Sequence, residues 1–217
     1  ISSFPKAPGV SEAVRFFMED VGCNINRGGY EGAYAAAGVV IETRAKLSRL
    51  FGLSKARNVV FTPGVTQSLN MLVKGLLRPG DHALVSGMEH NALMRPLAQM
   101  KRQGVSFTRI PCDANGLMLP DDAERLLQPN TKALLVLHAS NVSGSVMPLT
   151  DLGAIARRHR LFFITDAAQT AGVFDIDMQA MGLDAVAFTG HKGLLGPQGI
   201  GGIALTDARI KSAALLQ

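Results

Sequence analysis

The 217 residues are 47% hydrophobic and 18% charged, a balance that excludes a disordered chain and leaves enough length to bury a sizeable core. The net charge of +5 suits anionic small molecules, but the basic residues are scattered. The densest cluster, Arg157-Arg158-His159-Arg160, falls at a predicted helix C-terminus that cations complement, so no nucleic-acid partner is expected.

No apolar run approaches the roughly 18 residues of a membrane helix, and no basic-then-apolar leader pattern is present. The expectation is a cytoplasmic protein with no membrane partner. Cys23 and Cys112 lie far apart in no metal-type spacing and read as buried free thiols.

In chain order, Ser11 reads as the N-cap of a helix to about Asp20, and an Ala-rich stretch from about Gly32 to Phe51 has helical periodicity. Between them lies the polar turn Asn26-Arg27-Gly28-Gly29-Tyr30. From Asn58 onward, short apolar runs alternate with amphipathic ones. Predicted strands are Asn58–Thr62, His82–Ser86, Val105–Ile110, Ala133–His138, Leu161–Thr165, Ala185–Thr189 and Gly201–Leu205. Helices are predicted near Thr66–Leu77, Leu93–Gln103, Pro120–Leu127 and Leu149–His159. Strands this apolar belong to a sheet covered on both faces. The pattern predicts one domain, a three-layer α/β/α sandwich with a mostly parallel seven-stranded sheet and an N-terminal helical segment over 1–57.

In an open α/β sheet, ligands bind beyond the carboxyl ends of the strands, and the polar residues of interest all follow predicted strands. Thr62-Pro63-Gly64-Val65-Thr66-Gln67 opens a helix whose free N–H groups can hold a phosphate; taken alone it is equally a glycine turn with a threonine cap. His90, in Ser86-Gly87-Met88-Glu89-His90-Asn91, can stack on a ring or carry a proton, although a lone loop histidine is more often inert. Asn141 follows a very apolar strand, where it addresses a ligand or forms an Asx turn. Asp166 ends the next strand and, if buried, needs a partner: a protonated ring nitrogen, a lysine or a backbone N–H. Lys192 follows the strand ending at Thr189 and enters a glycine-rich loop, where a secluded amine becomes nucleophilic. A phosphate cradle, a stacking histidine, a carboxylate for a ring nitrogen and an amine for an aldehyde are together the demands of pyridoxal phosphate.

Four stretches carry a resemblance: Met88-Glu89-His90-Asn91, Ala139-Ser140-Asn141-Val142-Ser143-Gly144, Asp166-Ala167-Ala168-Gln169-Thr170 and Gly190-His191-Lys192-Gly193. With them the chain resembles, along nearly all its length, the class V aminotransferases of pyridoxal-phosphate fold type I, and within them the cysteine desulfurase and selenocysteine lyase branch. The resemblance implies that Lys192 carries the cofactor as a Schiff base and moves protons. It implies that Asp166 pairs with the ring nitrogen, that His90 stacks on the ring, and that Gln169 bonds its phenolic oxygen. Asn141 is expected near that oxygen and the substrate carboxylate. Thr66, Thr189, His191 and the Val65 N–H would hold the phosphate, and Arg27 would lie near the substrate entrance.

The sequence also departs from the family. Only Ser2-Ser3-Phe4-Pro5 matches the tail of the family's opening Asn-Ala-Ala-Thr segment. The small C-terminal domain, which carries the carboxylate-binding arginine and the nucleophilic cysteine of desulfurases, has no counterpart before Gln217. The implied activity is release of sulfur from L-cysteine, giving L-alanine and an enzyme persulfide, in a homodimer that passes sulfur to an acceptor protein. An aminotransferase, a selenocysteine lyase and a non-catalytic cofactor-binding or dimerisation scaffold are the rival readings. A nicotinamide dehydrogenase is disfavoured because the first strand lacks a G-x-G-x-x-G turn.

Overall fold

The computed structural model describes residues 5–25 and 28–207. Arg27 therefore lies outside the described residues. Seven strands form one sheet: β1 (Val59–Thr62), β2 (His82–Ser86), β3 (Ser106–Ile110), β4 (Thr131–Leu137), β5 (Phe162–Asp166), β6 (Ala185–Thr189) and β7 (Gly201–Leu205). Their order is β1-β7-β6-β5-β4-β2-β3, and only β7 runs against the others. Parallel neighbours need a crossover, usually a helix, whereas a glycine-rich loop suffices to return β7 beside β6 in the opposite sense.

The helices are α1 (Val10–Phe16), α2 (Glu31–Leu50), α3 (Val65–Leu76), α4 (Asn91–Lys101), α5 (Pro120–Arg125) and α6 (Leu149–Arg158). Alternating strand residues feed two cores. Leu134 and Val136 pack with Leu149 and Leu152 of α6 on one face. Ala133 and Leu135 pack with Leu72 of α3 and Leu97 of α4 on the other. Period-two alternation between two apolar faces is what a sheet sandwiched by helices requires, and the expected three-layer architecture is present.

Two local expectations need correction. The first helix begins at Val10, not after a Ser11 cap; its cap is Gly9 at φ 83, whose carbonyl accepts from Ala13 N at 2.9 Å. That helix buries none of its residues, so no apolar stripe marks its start in the sequence. It continues as a π-helical turn over Phe17–Val21, closed by Gly22. Helix α4 starts two residues before the predicted Leu93 because His90 caps it.

The fold gathers the carboxyl ends of β1, β2, β4, β5 and β6 along one rim. Gly201 of β7 pairs with both Thr62 and Thr189 at that rim. A Cβ on Gly201 would lie 2.5 Å from Phe188 O and 2.7 Å from Gly64 Cα. Only a glycine lets the start of α3 sit this close to the end of β6.

Candidate active site

Six of the predicted residues, Val65, His90, Asn141, Asp166, Gln169 and Lys192, line one cleft of about 320 Å³ at the strand ends. Leu137, Ala139 and Ala168 complete its walls. The polar groups arrive at the ends of four strands, β2, β4, β5 and β6, so the sheet and not the local sequence brings them together.

Asp166 is the last residue of β5 and is 7% exposed. Its Oδ1 accepts from Ala168 N at 2.8 Å, and among the described residues no cation forms an ion pair with it. Burial pushes its carboxyl above the usual range, against the opposing pull of the Ala168 N–H, Lys192 and His90. A carboxyl held this way favours a cationic partner in the cleft, because an unpaired buried charge is costly.

His90 caps α4, its Nδ1 accepting from Ala92 N at 3.1 Å. A ring nitrogen that accepts carries no proton, so the cap leaves Nε2 as the ring's donor. Asn141 is free to face the cleft because Ser140, and not Asn141, makes the turn. Ser140 Oγ accepts from Val142 N at 3.2 Å and Ser143 N at 3.3 Å. The Asx-turn alternative for Asn141 is thus replaced by a serine turn one residue earlier.

Lys192 sits in a loop knitted by Gly190 N to Ile200 O at 2.8 Å, Gly196 N to Gly190 O at 2.8 Å and Leu195 N to Lys192 O at 2.9 Å. The loop rests directly on the turn after β5. A Cβ on Gly172 would lie 2.8 Å from Gly193 O, and one on Gly193 would lie 2.6 Å from Ala171 O. This backbone contact brings the amine-bearing loop against the turn that follows Asp166 and Gln169.

Thr189, His191 and Thr66 do not line the cleft itself. Thr189 Oγ1 and His191 Nδ1 are 3.0 Å apart, and a Cβ on Gly64 would be 3.8 Å from the Thr189 hydroxyl. The pair therefore lies beside the start of α3, where no side chain caps the first turn and the N–H groups of Val65 and Thr66 have no intrahelical acceptor. Burial lowers the His191 pKa, and the positive charges of Lys192 and Lys6 lower it further. Thr66 lines an adjoining groove with His90 and Arg95.

Sequence reasoning missed Glu89, whose carboxyl lies under the cleft wall. Its Oε1 accepts from Ser86 Oγ at 2.6 Å and from Leu137 N at 2.7 Å. Burial pushes it up to about 8. The signal that singled out Asp166, a carboxylate just beyond an apolar strand, applied here too.

The family model described as Aminotransferase class-V matches residues 2–216. The chain is 33% identical over 166 residues to "Cysteine desulfurase IscS" of Dictyoglomus turgidum, covering 75% of this chain and 42% of that one. Among solved structures, the apo cysteine desulfurase from Thermococcus onnurineus NA1 superposes with a TM-score of 0.88 at 29% identity, over 94% of this chain and 52% of that one. The structure of "SspA in complex with cysteine" does so with a TM-score of 0.88 at 30% identity, over 94% and 59%. The chain thus spans roughly half the length of the proteins it matches.

Proposed function

The chain belongs to the class-V aminotransferase family, and we propose that it forms the cofactor-binding domain of a pyridoxal-phosphate-dependent cysteine desulfurase. The observation that carries the reading is a buried carboxyl with no ion pair among the described residues, Asp166, facing the same cleft as a lysine, Lys192. The residues fit the cofactor. Asp166 offers the counter-charge for a protonated ring nitrogen. The uncapped first turn of α3 with Thr66, Thr189 and His191 offers N–H and side-chain donors for a phosphate. Lys192 offers the amine for the aldehyde. Bound there, pyridoxal phosphate supplies an electron sink for a carbanion at the substrate α-carbon.

The chain's own residues do the rest. Lys192 Nζ would be the base that takes and returns the α-proton of an amino-acid substrate. His90, whose Nδ1 is taken by its helix cap, would offer a flat imidazole to the cofactor ring. Gln169 and Asn141 supply polar contacts at the cleft mouth, the latter toward the substrate carboxylate. Arg27 is assigned to the substrate entrance. Leu137, Ala139 and Ala168 keep water from the reacting face.

L-cysteine is the substrate assigned, supported by the names of the relatives and by a solved neighbour in complex with cysteine. Family membership also supports a homodimer, a sulfur-acceptor protein as partner and a cytoplasmic location. Among the described residues, no helix is long and apolar enough to cross a membrane.

The test is an absorbance titration of the protein with pyridoxal phosphate, comparing the native chain with Lys192→Ala. A visible band that saturates in the native chain and vanishes in the variant is expected, and alanine formed from cysteine would then establish turnover. A native chain that shows no band refutes the cofactor assignment and favours the scaffold reading.

A further inference from the structure

Among the described residues, Glu89 has the one carboxyl with a buried oxygen that lacks a hydrogen-bond partner. It leaves the loop after β2, yet its Oε1 reaches across to β4, taking Leu137 N at 2.7 Å as well as Ser86 Oγ at 2.6 Å. Its Oε2 is sealed from solvent and has no hydrogen-bond partner. Leu137 is a wall of the cleft and pairs in register with Asp166 of β5, while the residue after Glu89 is His90. One buried carboxyl therefore ties the loop that carries the cleft histidine to the strand that borders the cleft carboxylate.

The charge state follows from what surrounds it. The titratable groups acting on Glu89 from the packed elements are Asp166 of β5 and, beyond β3, Cys112. Both are acids, and among the described residues no cation forms an ion pair with Glu89. An ionised carboxylate with one bare, desolvated oxygen beside a second carboxylate is disfavoured over the protonated acid. The two hydrogen bonds to Oε1 survive protonation of Oε2.

We propose that Glu89 is a positioning residue of the cofactor cleft: its uncharged carboxyl clamps the His90 loop to the end of β4 and adds no negative charge beside Asp166. The inference deepens the cofactor reading and rests on it for its functional consequence. The clamp itself is a property of the cofactor-free chain. Because the acid acts while neutral, glutamine can replace it and alanine cannot.

The experiment follows the imidazole resonances of His90, identified with a His90→Gln variant, in cofactor-free protein by NMR, alongside the dissociation constant for pyridoxal phosphate. In Glu89→Gln the His90 signals stay at native positions and cofactor affinity stays within about two-fold. In Glu89→Ala the signals move and affinity falls by roughly ten-fold or more, the scale of losing one positioning contact to a bound group. Ser86→Ala, which removes one of the two bonds, moves His90 in the same direction by less and serves if Glu89→Ala does not fold. Native His90 signals in both Glu89→Ala and Ser86→Ala overturn the clamp, and a Glu89→Gln as damaging as Glu89→Ala overturns the neutral state. If the native chain binds no cofactor, the cofactor reading fails, while the His90 signals still decide the clamp.

Discussion

The buried acid at Glu89 makes stability depend on pH in a direction opposite to that of an ordinary ion-paired carboxylate. Its native pKa of about 8 stands above the roughly 4.3 of a glutamate in an unfolded chain. Between those values the native state holds a proton that the unfolded state has lost. The stabilisation is therefore complete below about pH 4 and disappears as pH rises through about 8. At 1.36 kcal/mol per unit, the gap corresponds to about 5 kcal/mol across the window, or about 1.4 kcal/mol per pH unit within it. Asp166 is shifted in the same direction by burial and adds to the trend.

His82, His138 and His191 are lowered by burial and so act in the opposite sense below the ordinary histidine range. The measurement must cancel them. Urea unfolding of native protein and Glu89→Gln at half-unit steps from pH 5.5 to 9 does so, because only the difference between the two curves is read. The variant is expected to gain on the native protein by about 1.4 kcal/mol per pH unit up to about pH 8, then level off. A difference that stays flat over that range would show that Glu89 is ionised in the native state, and the reasoning would be wrong.

Asp166→Asn keeps the acceptor for Ala168 N but cannot ionise. Cofactor-free stability at pH 8 is expected to equal or exceed that of the native chain by urea unfolding, while affinity for pyridoxal phosphate falls by roughly ten-fold or more; undiminished affinity would remove Asp166 from its assigned role. Gly201→Ala places a methyl against two backbone atoms that cannot swing aside and should cost about 1–3 kcal/mol in the same assay. Gly38→Ala on the exposed side of α2, where nothing lies within 4 Å, should instead gain about 0.5–1 kcal/mol.

What the sequence made legible follows from which physical signal each feature leaves. Strands buried on both faces, such as Ala133 to Leu137, must be apolar throughout, and that run stands out without any structure. Polar residues at the ends of such runs are conspicuous for the same reason, so Asp166, Asn141, His90 and Lys192 were visible as a set. The start of α1 was not, because a helix that buries nothing leaves no stripe and its cap is a left-handed glycine instead of a serine. Nor does the sequence alone reveal that Ser140 makes the turn that frees Asn141, since either side chain can make it.

Glu89 illustrates the deeper reason some function stays hidden. Its partner Leu137 is 48 residues away, and the bond is to a backbone N–H, which every residue but proline has. No residue type at that distance advertises the contact. What turns a loop glutamate into a buried neutral acid is the parallel pairing of β2, β4 and β5, which lays the Ser86, Leu137 and Asp166 ends side by side. Two carboxyls then share one desolvated rim, and burial pushes both above the ordinary carboxylate range. At Asp166 burial is opposed by the Ala168 N–H, Lys192 and His90. Among the described residues Glu89 has hydrogen bonds but no ion-paired cation, so burial dominates and the proton stays on it.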